Sequence, residues 1–240
     1  MPRTFSHMMQ SIRNRSLYCK EILLVFCAFF LPGILLGQAA PDPSAFERIS
    51  WHASVLIAGL PQIGLLIFIL RLHPEYDPVP FGLRPPRLSD LPAALAVLAA
   101  VIATLLGAAL VLALIPGAAH AAATDFRWTF ARPALVPLVL VTSIITGYRE
   151  ELFFRSYLLT RLEQIDASRP AAVAVSTLLF ASGHLYQGWS GFAVAALLGV
   201  LFAVVFLRAR NLHAIALGHA LYNAVALIGG SAIRNLVPPP

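Results

Sequence analysis

The stretch Leu91–Ala119 reads LPAALAVLAAVIATLLGAALVLALIPGAA and holds no charged residue. About 20 apolar residues carry a helix across a bilayer, so this run is long enough to span one. Six further apolar runs flank it: Ile22–Ala40, Trp51–Leu72, Ala134–Leu159, Pro170–Leu185, Phe192–Leu207 and Leu212–Ile233. Turn and linker residues break the pattern at Pro41–Asp42–Pro43, over Pro78–Pro86 and at Ser168–Arg169–Pro170. Of the 240 residues, 59% are hydrophobic and 12% charged, against roughly 45–50% and about 25% in soluble domains. That much apolar surface needs lipid as its solvent. Alternating strands are absent, which argues against an outer-membrane barrel. Helices then remain the way to satisfy backbone polar groups in lipid. The expected fold is all-α, a polytopic transmembrane helical bundle of about seven spans, within a range of six to eight.

Residues 1–20 read as a basic N-terminal segment, 21–133 as three spans with their loops, 134–233 as a four-helix core and 234–240 as a tail. The basic start, the apolar run and the small residues near Gln38–Ala40 also fit a signal peptide. The length of the run and the spans after it favour a retained first helix. Lys and Arg alternate between loops. Eleven (Arg3, Arg13, Arg15, Lys20, Arg71, Arg84, Arg87, Arg161, Arg169, Arg208, Arg210) fall on the side of the N-terminus, against four (Arg48, Arg127, Arg132, Arg234) on the other. This pattern puts the N-terminus in the cytoplasm and, with seven spans, the C-terminus outside. The net charge of +6 is thus a matter of topology. No basic stripe with interleaved aromatics speaks for nucleic acid. Cys19 and Cys27 form neither a CxxC pair nor a ligand cluster. The remaining histidines carry weaker signals: His7 and His73 fall in soluble segments, His52 and His120 near span ends, and His213 at the start of the last helix. Trp51, Trp128 and Trp189 suit interfacial anchoring.

The fourth apolar run contains Arg149, Glu150, Glu151 and Arg155. Each such group costs roughly 2.5–3.5 kcal/mol to insert, so four together imply a site. Glu151 and Arg155 share a helical face and can pair. Glu150 points about 100° away and is expected to lack a local partner, an environment that suits a general base or acid. The plainer alternative pairs both glutamates with both arginines as a structural knot. Arg149 has no role that the sequence decides. The fifth run contains Phe180-Ala-Ser-Gly-His184, whose ring and imidazole share a face, with Gly183 expected to admit a neighbouring helix. The seventh contains His219-Ala-Leu-Tyr-Asn223, again one turn apart. Each histidine taken alone has an ordinary structural explanation. Polar side chains in a bundle face its interior, however, so the three groups are expected to meet. A glutamate and a histidine can activate water, and a histidine and an amide can stabilise an oxyanion.

The motifs Glu150-Glu151-Leu-Phe-Phe-Arg155, Phe180-Ala-Ser-Gly-His184 and His219-Ala-Leu-Tyr-Asn223 resemble the EExxxR, FxxxH and HxxxN/D pattern of the CPBP family. These are the CAAX-protease and bacteriocin-processing (Abi-like) intramembrane glutamic endopeptidases. The resemblance covers about Thr146–Asn223. It implies that Glu150 activates the attacking water with help from His184, and that His219 and Asn223 form the oxyanion hole. Glu151 and Arg155 would support them as members of the first motif; Phe180, which shares a face with His184, and Arg149, beside the glutamates, are further supporting candidates read from the residues themselves. The resemblance implies no cofactor, a membrane-associated protein or peptide substrate, and a bacterial inner membrane location. Ser156 stands where many members have glycine, and Arg149 lies outside the general pattern. Three other readings compete. Glu150, His184 and His219 could ligate zinc, although no HExxH is present. Buried charges also mark transporters, although no repeated halves are visible. A catalytically silent membrane scaffold is the third.

Overall fold

The computed structural model describes residues 2–37, 42–115 and 130–236, with side chains over 14–37, 42–115 and 130–229. Among the described residues there is no strand. The helices are α1 (Pro2–Phe29), α2 (Leu31–Leu36), α3 (Ile49–Arg71), α4 (Asp90–Ala113), α5 (Val136–Glu151), α6 (Leu158–Gln164), α7 (Arg169–Ser182), α8 (Gly188–Ala209) and α9 (Leu212–Leu236). A π-helical turn, Leu152–Tyr157, joins α5 to α6 without a break.

Among the described residues, four helices are long and apolar enough to cross a membrane: α3, α4, α8 and the described part of α9. The chain is an integral membrane protein on this evidence. The expected run Pro170–Leu185 is shorter as a helix. It ends at Ser182, after 14 residues, or about 21 Å at 1.5 Å per residue, short of a hydrocarbon core of about 30 Å. Arg161 is not a loop residue either, as the charge count had it. It is 2% exposed and lies beside Glu21. His120, Arg127, Trp128 and the far end of the Leu91–Ala119 run lie outside the described residues, as do Gln38–Ala40.

Two glycines let α9 sit between α5 and α4. A Cβ on Gly147 would meet the Ala216 carbonyl oxygen at 2.5 Å, and one on Gly218 would meet Val97 Cγ1 at 2.6 Å. Small residues at such crossings admit close backbone packing. Gly183, expected to play this part, does not: its Cβ would meet nothing nearer than its own Phe180 carbonyl, at 3.3 Å. Gly199 of α8 takes that role against Thr177 and Phe180 of α7.

The proline-rich stretch expected as a plain linker is a docked plug. Phe81 is 2% exposed, and Gly82 takes φ +65°, a left-handed turn that glycine allows without strain. Three of the carbonyls around it are claimed by distant side chains. Ser156 Oγ donates to Phe81 O at 2.5 Å. Arg210 and Thr160 donate to Pro80 O at 3.0 and 3.2 Å. His213 binds Arg84 O at 2.7 Å and the Tyr148 hydroxyl at 2.8 Å, so it clasps the plug to α5. Nearby, Glu21 of α1 accepts from Tyr157 (2.8 Å), Arg161 (3.1 Å) and His73 (2.5 Å). His73 is therefore tied to the bundle. His52, expected near an interface, is fully buried between Thr142 Oγ1 and Phe46 O.

Candidate active site

The two glutamates close α5, and the turn after them departs from even helical spacing. In a π turn the backbone bond skips one residue more than in an α-helix, which widens the coil, often at functional sites. Leu158 N–H accordingly donates to Phe153 O. All six turn residues are buried, and Ser176 of α7 donates to the Phe154 carbonyl at 2.7 Å. Arg155, inside the turn, reaches Glu151 Oε2 at 3.2 Å, with both side chains fully buried. This is the expected pair, but its Nε lacks hydrogen-bond alignment and Nη1 has no acceptor. Aromatic faces hold the guanidinium instead: Cζ lies 4.2 Å from the Phe180 ring and 5.4 Å from Phe202.

Glu151 has a second partner that the sequence did not show. His219 Nδ1 lies 2.8 Å from Glu151 Oε1. A carboxylate only accepts, so Nδ1 donates, and Nε2 is left to accept when the ring is neutral or to donate when it is charged. That Nε2 lies 3.9 Å from Glu150 Oε2. Phe202 stacks on the ring at 5.0 Å, and Phe180 meets it edge-on at 6.0 Å.

Glu150 is not without a local partner, contrary to the helical-spacing expectation. Arg149 Nη2 donates to its Oε1 at 3.1 Å. Adjacent side chains diverge at the helix surface, but a long arginine can bend back to its neighbour. Both glutamates therefore pair with both arginines, as the structural-knot alternative required. The pairs differ in place. Glu151–Arg155 is sealed, whereas Arg149 and Glu150 are 27% and 12% exposed and face a cavity. Arg149 also sits over the Phe30 ring.

His184 lies just past α7 rather than within it, at the start of the short 3-10 turn Leu185–Gln187. Its Nδ1 donates to Phe180 O at 3.1 Å, and the Phe180 ring backs it at 4.8 Å, as the spacing predicts. That carbonyl sets the tautomer and leaves Nε2 as an acceptor. Glu150, His184, His219 and Asn223 all border one cavity of about 670 Å³, within the roughly 300–1,000 Å³ of ligand pockets. Arg149 and Phe180 border it too; Glu151 and Arg155 stand behind its wall. Among the described residues, no three His, Cys, Asp or Glu side chains gather closely enough to hold a metal ion.

Sequence reasoning missed Phe202, Tyr186 and Gln187. Phe202 stacks on His219 but sits in an apolar helix, where a phenylalanine carries no signal. Tyr186 and Gln187 line the cavity and bond to each other at 2.8 Å. Two polar residues two and three positions after His184 were a usable sign.

Residues 132–225 match the family model described as Type II CAAX prenyl endopeptidase Rce1-like. This segment is an Rce1-like domain of the CAAX-protease family. It contains every motif residue from Arg149 to Asn223, so the resemblance and the cavity coincide. Comparison with curated proteins and with solved structures gives no match. The match over this segment supports a membrane peptidase.

Proposed function

We propose that the chain hydrolyses a peptide bond in a membrane-associated protein or peptide with a glutamate-activated water and without a metal ion. The observation that carries this reading is the meeting of Glu150, His184, His219 and Asn223, from three separate motifs, on one cavity. Arg149 pairs with the ionised form of Glu150, which suits a general base. The Glu150 carboxylate takes a proton from water as its oxygen attacks the scissile carbonyl carbon. His184 Nε2 offers that water a second acceptor. The developing oxyanion is met by the Asn223 amide and by His219 Nε2–H, whose charged ring is supported by Glu151 on Nδ1. Collapse breaks the C–N bond, and Glu150 returns its proton to the leaving amine.

Comparison of membrane proteomes from wild-type and Glu150→Gln strains tests this. The variant protein inserts at the wild-type level, and at least one cleavage product of a membrane-associated protein disappears. An unchanged fragment pattern contradicts the proposal. Ion flux in proteoliposomes that Glu150→Gln removes, with no peptidase activity, points to a transporter instead.

A further inference from the structure

Among the described residues, the lining of the cavity extends toward only one end of the bundle. On α5 it is lined from Val139 to Glu150, and on α9 from His219 to Leu227. On α8 it runs from Ser190 to Phe202, and on α3 it takes in only Trp51 and Val55, near the helix start. The directions of these helices agree: every stretch runs from the level of Glu150 toward the end that holds residues 45–51, 133–139, 185–191 and 227–229. The stretch on α5 covers 11 residue steps, or about 16 Å of helix. Along it, Thr142, Ser143 and Thr146 lie on the cavity face above Glu150, a polar track down to the carboxylate.

The other end is closed. Below Glu150 the π turn packs Phe153, Phe154 and Tyr157 at 0–3% exposure, and Phe206 and Leu212 are as deeply buried. The plug around Phe81 seals this end through Ser156, Thr160 and Arg210. This closed end also carries Arg15, Lys20, Arg71, Arg84, Arg87, Arg161, Arg169, Arg208 and Arg210. Among the described residues the open end has Arg48 and Arg132. Basic residues collect on the cytoplasmic side of membrane proteins.

We infer that the site is loaded from the extracytoplasmic face, so that its substrates are peptide segments exposed on that side of the membrane or just within it. This rests on the proposed peptidase reading for the word substrate, but the accessibility of the cavity is a separate property. Single cysteines test it in a Cys19→Ser, Cys27→Ala background. Ser143→Cys and Ser190→Cys line the cavity, and Arg208→Cys, exposed at the closed end, is the control. A membrane-impermeant maleimide is applied to right-side-out spheroplasts and to inside-out vesicles. The cavity cysteines react in spheroplasts and the control only in inverted vesicles, with or without Glu150→Gln. Cavity cysteines that react only in inverted vesicles, or that react in neither preparation yet label after denaturation, overturn the inference. Because labelling does not need catalysis, a failed cleavage assay leaves this result interpretable on its own.

Discussion

Replacing Glu151 by Gln isolates the sealed half of the charge cluster. The substitution leaves the Arg155 cation at 0% exposure with no carboxylate beside it. Breaking a buried ion pair by removing one partner costs about 3–5 kcal/mol. The Phe180 and Phe202 faces stay in place and still attract the guanidinium, by up to about 2 kcal/mol when desolvated. The Gln carbonyl can still accept from His219 Nδ1. The loss therefore falls at the low end, about 3 kcal/mol, or about 6–12 °C in melting temperature for a chain of this size. Glu150→Gln is its neighbour and its opposite. It leaves Arg149 in contact with the cavity, so the cost is about 1 kcal/mol or less. Thermal unfolding of both variants in the same detergent, followed by tryptophan fluorescence, makes the comparison. Adding Arg155→Met to Glu151→Gln removes the stranded cation and recovers stability, giving a coupling of about 1–3 kcal/mol in the double-mutant cycle. Equal destabilisation by Glu151→Gln and Glu150→Gln refutes the distinction drawn between the two pairs. So does a double variant that is merely the sum of the singles.

Two structural predictions concern the frame around the site. Ser156→Ala leaves the Phe81 carbonyl buried without its 2.5 Å donor, which costs about 1–3 kcal/mol; faster limited proteolysis near Phe81 and a lower melting temperature report it. Gly147→Ala places a methyl 2.5 Å from the Ala216 carbonyl oxygen, a backbone atom that moves only if α9 moves. The expected loss is about 1–3 kcal/mol, and activity falls with it because His219 rides on α9; wild-type stability and rate in this variant contradict the packing.

The helical membrane fold was legible because composition and apolar run length act over many residues at once. The candidate-site residues were legible because ionisable groups are costly in such helices, so Glu150, Glu151 and Arg155 stood out, while His184 and His219 gained weight only in combination with them. Pair geometry was only half legible. Helical spacing gave Glu151–Arg155 correctly, but it cannot see a side chain bending back along its own helix, as Arg149 does to Glu150. Contacts between helices were not legible at all. Nothing local to His219 announces Glu151, 68 positions away, and nothing in the proline-rich stretch announces that Ser156, Thr160 and Arg210 claim its carbonyls. Gly183 and Gly147 show the same limit: both are glycines in apolar runs, and only packing separates the one that a helix approaches.

The central claim is that Glu150 activates the water. Its most direct test uses purified protein in liposomes and a peptide spanning the cleavage site of the fragment lost in the Glu150→Gln strain, with a metal chelator present. The account predicts that the wild-type protein cleaves in chelator, while Glu150→Gln, folded and melting near the wild-type temperature, is slower by about 10²–10⁴-fold. Cleavage by Glu150→Gln within tenfold of wild type, or complete loss of wild-type cleavage on chelation, would contradict it.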